Sequence, residues 1–324
     1  ARQKTKRKLL GLSNLWTTYR SKFIGGCKNP PFYLNDCKLK KTKTMSNEEK
    51  EVQRMYFERV VDETFIDPSV EVKYPPVAIS MGTYRYTTKE GDKEFPIPIG
   101  TYGNFSFVQA PPKSMKTFFV SLLSAVYLNG QVEGFSGEMK GYRKGRALVH
   151  FDTEQGEFHA SKVFRRPLEM VGETQDNYHT LALRQFSPKD RLEFIEWYLE
   201  NKVDDAGLVI IDGIADLCND VNNIEESNKV VQKVMEWTAK YKCHMVLVIH
   251  SNFGSDKPTG HLGSFLEKKT ETQIQLEKNT KHNNMVTVSC KRSRNYSFDK
   301  FSFEVDKYGL PSIVGDLYDP LEGF

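Results

Sequence analysis

The string Ala110-Pro111-Pro112-Lys113-Ser114-Met115-Lys116-Thr117 lies between an apolar run and a helix-forming apolar stretch. A lysine followed by a hydroxyl residue at a helix start suits a polyphosphate. Backbone N–H groups and the helix N-terminus face the anion, the ammonium neutralises it, and the hydroxyl holds Mg2+. Lys113, Ser114, Met115, Lys116 and Thr117 are therefore candidate nucleotide-binding residues, with Thr117 also a candidate Mg2+ ligand. The spacing fits the phosphate-loop pattern G-x-x-x-x-G-K-S/T, but Ala110 and Met115 replace both glycines. The second loss is the more serious, because a Cβ discourages the backbone angles and close phosphate approach that glycine permits. Taken alone, the string leaves open a Lys-Thr pair that merely begins a helix.

Other polar residues stand at the ends of apolar runs. Leu208-Val209-Ile210-Ile211 ends in Asp212, the type of residue that orders Mg2+ beside a phosphate loop. A second run ends in His150-Phe151-Asp152-Thr153-Glu154-Gln155, where Glu154 is placed to polarise an attacking water, the alternative being a surface turn of solvated acids. Met245–Ile249 ends in His250-Ser251-Asn252, where His250 is placed either to sense a γ-phosphate or simply to support the fold. The polar, Gly-rich stretch from Asn252 to Ser264 reads as a flexible loop, and its Lys257 and His261 have the chemistry to meet nucleic-acid phosphates. Lys291-Arg292-Ser293-Arg294-Asn295 is either a solvated basic turn or, in an oligomer, a source of arginine fingers for a neighbour's nucleotide.

The elements that would position these residues alternate. Strands are expected at Val77–Met81, Tyr84–Thr87, Phe105–Gln109, Ala147–Asp152, Gly207–Ile211 and His244–His250, and helices at about Lys116–Leu128, Pro188–Asn201 and Asn228–Lys240. Strands apolar on both sides, separated by helices, imply an α/β unit with a mostly parallel sheet covered on both faces. Thr272–Glu277, Met285–Cys290 and Phe301–Val305 read as an antiparallel extension. Ser46–Phe65 reads as a helix with Ser46 as N-cap and an apolar face of Val52, Met55, Tyr56, Val60 and Val61. Asp67-Pro68 and Pro75-Pro76 mark a linker, dividing residues 1–74 from a domain at 75–324.

The chain has 324 residues, is 39% hydrophobic and 27% charged, and carries a net charge of +4. These values fit a globular protein, and no apolar run reaches the roughly 18 residues of a membrane span. No secretory signal is expected, and Ala1 is read as the product of Met removal or trimming. Five scattered cysteines point to reduced thiols and a cytoplasmic location; Cys27 and Cys37 lack two obvious further ligands for a metal site. Residues 1–44 hold twelve Lys or Arg residues against one acid, Asp36. Such a block suits a polyanion, or is a solvated tail.

In order, the strings Gly103–Val108, Pro112–Phe118, Phe151–Gln155, Val209–Ile214, Ile249–Asn252, Gly260–Ser264 and Arg292–Asn295 resemble the RecA-like P-loop ATPases related to plasmid replicative helicases. Versions on mobile elements of Bacteroides-like bacteria are the most similar in feel, and that group carries a loop lacking the second glycine. The resemblance spans about Pro75 to Val314 and leaves residues 1–70 uncovered. It implies that Lys116 and Thr117 hold phosphates and Mg2+, Glu154 activates water, Asp212 orders the metal and His250 senses. Arg292 and Arg294 would act on the next subunit's nucleotide. It implies ATP and Mg2+ as cofactors, single-stranded DNA as partner, and a hexameric ring or a filament, with a primase or mobilisation protein nearby.

Two classes of function follow. One is a DNA-dependent ATPase, a helicase or helicase loader in replication or transfer of a mobile element. The other is a nucleotide-binding module that recruits DNA or a partner with weak or no hydrolysis. A recombinase-like filament or regulatory ATPase of the same fold is a third reading. Deleting residues 1–44 is expected to weaken DNA binding and flatten its salt dependence, because phosphate contacts release counterions. Unchanged affinity and slope in a salt titration would refute that role for the basic segment.

Overall fold

The structure is a computed structural model that describes residues 46–89, 91–252 and 255–314. The basic segment 1–44, Cys27 and Cys37, and Phe253 and Gly254 of the polar loop lie outside the described residues. The chain divides into two units between Val72 and Lys73. In the first, helix α1 (Asn47–Thr64) starts at Ser46, whose hydroxyl accepts from the Glu49 N–H while the Glu49 carboxylate accepts from the Ser46 N–H. This reciprocal cap satisfies two N–H groups that the helix leaves unpaired. The expected apolar face is present in sequence, but no residue of α1 is buried.

The second unit is built on a nine-stranded sheet. Its strands are β3 (Phe105–Ala110), β5 (Ala147–Asp152), β6 (Tyr178–Ala182), β7 (Ala206–Asp212), β8 (His244–His250), β9 (Thr272–Lys278), β10 (Met285–Ser293), β11 (Phe301–Val305) and β12 (Pro311–Val314). The order is β12-β11-β10-β9-β3-β8-β7-β5-β6. β9 through β6 run parallel, while β10, β11 and β12 pair antiparallel. The expected mostly parallel α/β sheet with an antiparallel C-terminal extension is what the chain forms.

Alternate side chains of these strands enter two cores, as the period of two requires. Val108, Leu208, Ile210, Val246 and Val248 pack with Leu122, Leu123 and Val126 of α2 (Lys116–Asn129). Phe107, Val209, Ile211, Leu247 and Ile249 face the other way. They meet Ile195 of α4 (Pro188–Asn201), Val234 and Trp237 of α5 (Ile224–Tyr241) and Leu262 of α6 (Gly260–Lys269). The helix after β3 thus covers one face and the helix after β8 the other. β3 and β8 are neighbours, so the crevice at their C-terminal ends is a topological switch point, the usual ligand position in such sheets.

Several elements differ from expectation. The two short strands near residue 80 are one, β1 (Val77–Thr88), which pairs with β2 (Gly91–Thr101) as a hairpin and with β4 (Met139–Gly141) in a separate three-stranded sheet. Helix α3 (Glu157–Val171) and strands β2, β6 and β12 were not anticipated. The flexible loop expected through Ser264 ends at Thr259, where α6 begins.

The second sheet is clasped to the main one at Glu271. Its carboxylate accepts from the Thr101 N–H and hydroxyl, each at 2.8 Å, and from the Asn295 amide at 2.9 Å. His244 donates from Nδ1 to the Thr101 carbonyl at 2.9 Å, and its buried ring lies against Gly100. A Cβ at Gly100 would stand 2.0 Å from His244 Nε2. Gly100→Ala is therefore expected to cost about 1–3 kcal/mol of stability, as overpacked cores do. In urea unfolding, Gly100→Ala combined with His244→Ala should cost less than the sum of the two single changes; additivity would show that the clash is relieved elsewhere.

Candidate nucleotide site

The parallel register brings the strand tips level. Ala110 pairs with His250, and Asp152 with Asp212. Between β3 and α2 the phosphate-loop candidate turns through two left-handed residues, Lys113 and Met115, both at φ 62°. Met115 stands at the position of the second pattern glycine, and its φ of 62° and ψ of 26° are angles that glycine adopts freely. The substitution therefore keeps the glycine backbone and bears its strain, roughly 1–2 kcal/mol for an L-residue. Packing of the half-buried Met115 side chain against the α2-side core offsets part of this. Its carbonyl accepts from the N–H groups of Phe118 and Phe119, opening the helix.

Lys116, on the first turn of α2, is buried at 7% exposure. Its ammonium donates to His250 Nδ1 at 2.9 Å and to the Pro111 carbonyl at 3.3 Å. An ammonium has no lone pair, so Nδ1 is the acceptor and the imidazole proton sits on Nε2. Nε2 in turn is 3.3 Å from Glu154 Oε1. Lys116, His250 and Glu154 form one continuous chain across three strand ends. Burial lowers the Lys116 pKa, opposed by the charges of Glu154 and Asp212. The hydrogen bond from His250 holds Glu154 below the usual carboxylate range, against desolvation and with help from the Lys116 charge.

Asp212 is buried, and its Oδ2 has no hydrogen-bond partner. Burial raises its pKa well above the ordinary value, and the charges of Asp152 and Glu154 add to the rise. A buried carboxylate oxygen without a donor, near a lysine and the α2 start, suits a Mg2+ ion that takes one or two protein oxygens and completes its shell with phosphate and water. Thr117, half-buried in the first turn of α2, is the second candidate ligand. Asp152 has a different task from its neighbour. Its carboxylate accepts from the Glu154 and Gln155 N–H groups at 3.0 and 2.8 Å and from the Gln155 amide at 2.8 Å, fixing the turn that presents Glu154.

The sequence reading missed the support beneath Glu154. The Thr153 hydroxyl lies 2.9 Å from the Gly213 carbonyl and 3.0 Å from Asp216 Oδ2. Buried Arg191 holds the Asp216 and Leu183 carbonyls at 2.8 and 3.0 Å. A Cβ on Gly213, whose φ is 104°, would stand 2.7 Å from Glu154 Cγ. The Gly213 and Asp216 of the string after Asp212 were the available signal.

Ser114 is buried in the loop and Lys113 is exposed. Lys257 and His261 are exposed too, His261 on the first turn of α6. The loop between β8 and α6 is tied to the phosphate-loop strand: Gln109 donates to the Asp256 carbonyl at 2.7 Å and contacts Gln275, and Lys291 also reaches that carbonyl. Arg292 and Arg294 are not brought to this site. The Arg294 N–H donates to the Glu271 carbonyl, and Glu271 in turn donates to the carbonyl of Phe105, the first residue of β3. That is the end of the strands opposite the phosphate loop, the length of a six-residue strand away, roughly 17 Å. Arg292 pairs with Gln273, which is level with Phe107 in mid-strand, so neither arginine's backbone lies at the strand tips of the candidate site.

The aspartate pKa rise has a definite linkage sign. A carboxylate whose folded pKa is raised contributes stability at low pH that is lost as pH climbs through the folded value. Above that point, without Mg2+, ionised Asp212 opposes folding. Asp212→Asn is expected to raise Tm at neutral pH without Mg2+, by roughly 2–4 °C for each 1 kcal/mol of relief. It should also abolish the extra stabilisation that Mg2+ gives with nucleotide. A calorimetric scan showing a lower Tm and an intact Mg2+ response would place the metal elsewhere.

Residues 100–256 match the AAA domain family. No curated protein sequence matches the chain. Among solved structures, the crystal structure of the RadB recombinase is similar with a TM-score of 0.44 and 17% identity, over 66% of this chain and 92% of that one. The matched segment contains the phosphate-loop strand, both acidic strand tips and His250. The core of this chain is a mostly parallel α/β sheet with a switch-point crevice and antiparallel C-terminal strands, and the segment within it that is similar to the AAA domain family carries the candidate site.

Proposed function

We propose that the chain is a Mg2+-dependent ATPase that assembles as a ring or filament and acts on DNA, as a helicase or helicase loader in replication or transfer of a mobile element. The observation that carries the ATPase reading is the Lys116–His250–Glu154 chain beside the unpartnered oxygen of Asp212. Thr117 and Asp212 would hold Mg2+, which supplies positive charge to the β- and γ-phosphoryl oxygens. With ATP bound, the Lys116 ammonium has a phosphate oxygen to donate to in place of His250. Glu154, kept ionised by its surroundings, accepts a proton from the attacking water. Water oxygen bonds to the γ-phosphorus as the bond to the bridging oxygen breaks, and ADP leaves with that electron pair. His250, released from Lys116, reports the γ-phosphate to the loop that follows it.

Arg292 and Arg294, whose backbone lies away from the strand tips, fit a role on a neighbour's nucleotide. The basic block at 1–44 and the exposed Lys257 and His261 fit DNA, with a primase or mobilisation protein as a further partner. The strained Met115 favours a second reading, a nucleotide-binding recruitment module with slow turnover.

Lys116→Ala is expected to abolish saturable binding of labelled ATP. Glu154→Gln should keep binding but lower turnover by about 10²–10⁴-fold, the usual contribution of a general base. Single-stranded DNA should stimulate the wild-type rate. Binding that survives with no turnover under any DNA condition would favour the recruitment module; binding that ignores Lys116→Ala would remove the site itself.

A further inference from the structure

The outer end of the β1–β2 hairpin carries an aromatic surface that the nucleotide site does not use. Tyr84 and Tyr86 are two apart on β1, and Phe95 pairs with Tyr84 across the hairpin, so all three share one face. Their rings stack: Tyr84 and Phe95 centroids are 5.9 Å apart, Tyr86 and Phe95 5.2 Å, and Tyr84 and Tyr86 6.1 Å. The three interplanar angles are 30°, 27° and 25°. Tyr296, from the segment after β10, lies on Tyr84 at 4.2 Å. Tyr86, Phe95 and Tyr296 are 40%, 39% and 62% exposed.

Toward the turn this face continues with Thr88, Gly91 and Lys93, and toward the core with Ile97, which is half-buried against the apolar cluster. The opposite face closes on itself, with Thr83 and Arg85 bonded to Glu94, and Thr87 to Asp92. Acids therefore lie behind the rings and Lys93 beside them. The segment that delivers Tyr296 begins with the exposed Arg292 and Arg294, and Arg294 donates to a neutral acceptor, the Lys269 carbonyl. Rings stacked within about 30° of parallel, flanked by cations and with no exposed large aliphatic side chain on the same hairpin face, match bases and phosphates, and match poorly the mixed aliphatic surface of a protein partner.

We propose that Tyr84, Tyr86, Phe95 and Tyr296 form a base-stacking platform for single-stranded nucleic acid, flanked by Lys93 and by the Arg292–Arg294 stretch. The platform is separate from the polar loop after β8, and it deepens the DNA reading, on which it rests. An unpaired strand places bases on the exposed rings without regard to sequence, because every base has a π-face.

The test is fluorescence anisotropy of labelled oligothymidylate with the full chain, beside an abasic strand of equal length. Tyr86→Ala with Tyr296→Ala should weaken oligothymidylate binding by about fivefold or more and leave the abasic strand unaffected. Tyr296→Phe should bind as wild type and Tyr296→Leu should not, which separates stacking from support of the fold. Equal binding by wild type and the double variant would overturn the platform while leaving DNA as a partner. Equal binding with a smaller assembly on sizing would assign the surface to a second copy of the chain. Absence of saturable oligothymidylate binding by the wild type would overturn the DNA reading and the platform together.

Discussion

The described nucleotide site rests on one buried ammonium. Lys116 sits where desolvation works against its charge, and the charges of Glu154 and Asp212 oppose that effect in part. Those two carboxylates, with Asp152 beside them, would repel one another in the same low-dielectric setting. The ion cluster is therefore mutually conditional: remove the lysine and the acids lose their counter-charge, remove the acids and desolvation acts on the lysine unopposed. The parallel register is what imposes the meeting, since it levels Ala110 with His250 and Asp152 with Asp212. The fold holds these groups together, which fits the proposed ligand of phosphate and metal.

The parallel core was legible because Leu208–Ile211 and Met245–Ile249 are apolar on both faces, which only a doubly covered sheet requires. Their polar tips were legible for the same reason, as the first residues to leave the apolar layers. What escaped was decided by packing at a distance. β2 contains Pro96 and Pro98, a poor strand signal, yet it is the edge of the three-stranded sheet, where a missing N–H is tolerated. Gly260 and Gly263 read as flexibility, whereas they are places of close approach. A Cβ at Gly260 would stand 2.7 Å from the Val221 carbonyl, and one at Gly263 2.6 Å from the backbone of Pro258. Helix α3 was hidden by Pro167 within it.

The candidate site divides in the same way. Lys116, Glu154, Asp212 and His250 stand at strand tips or the helix start, so local pattern located them, and the structure gathers them. The partition of labour between Asp152 and Glu154 was beyond local pattern, because it depends on which carboxylate is captured by the N–H groups of its own turn. Arg191, Thr153 and Asp216 act through carbonyls of other segments and leave no motif. The hairpin rings likewise become one surface only when strand pairing sets Tyr84 opposite Phe95 and the chain returns with Tyr296.

Met115 occupies a basin that has few exits for a residue with a side chain. A glycine there can invert its peptide planes and let an empty cradle collapse or reopen. Methionine cannot make that excursion cheaply, and its own side chain anchors it to the core. The cradle is thus closer to a fixed mould than to a jaw. Under the proposed function, the part left to register a filled mould is the imidazole of His250, which would exchange the Lys116 ammonium for another partner.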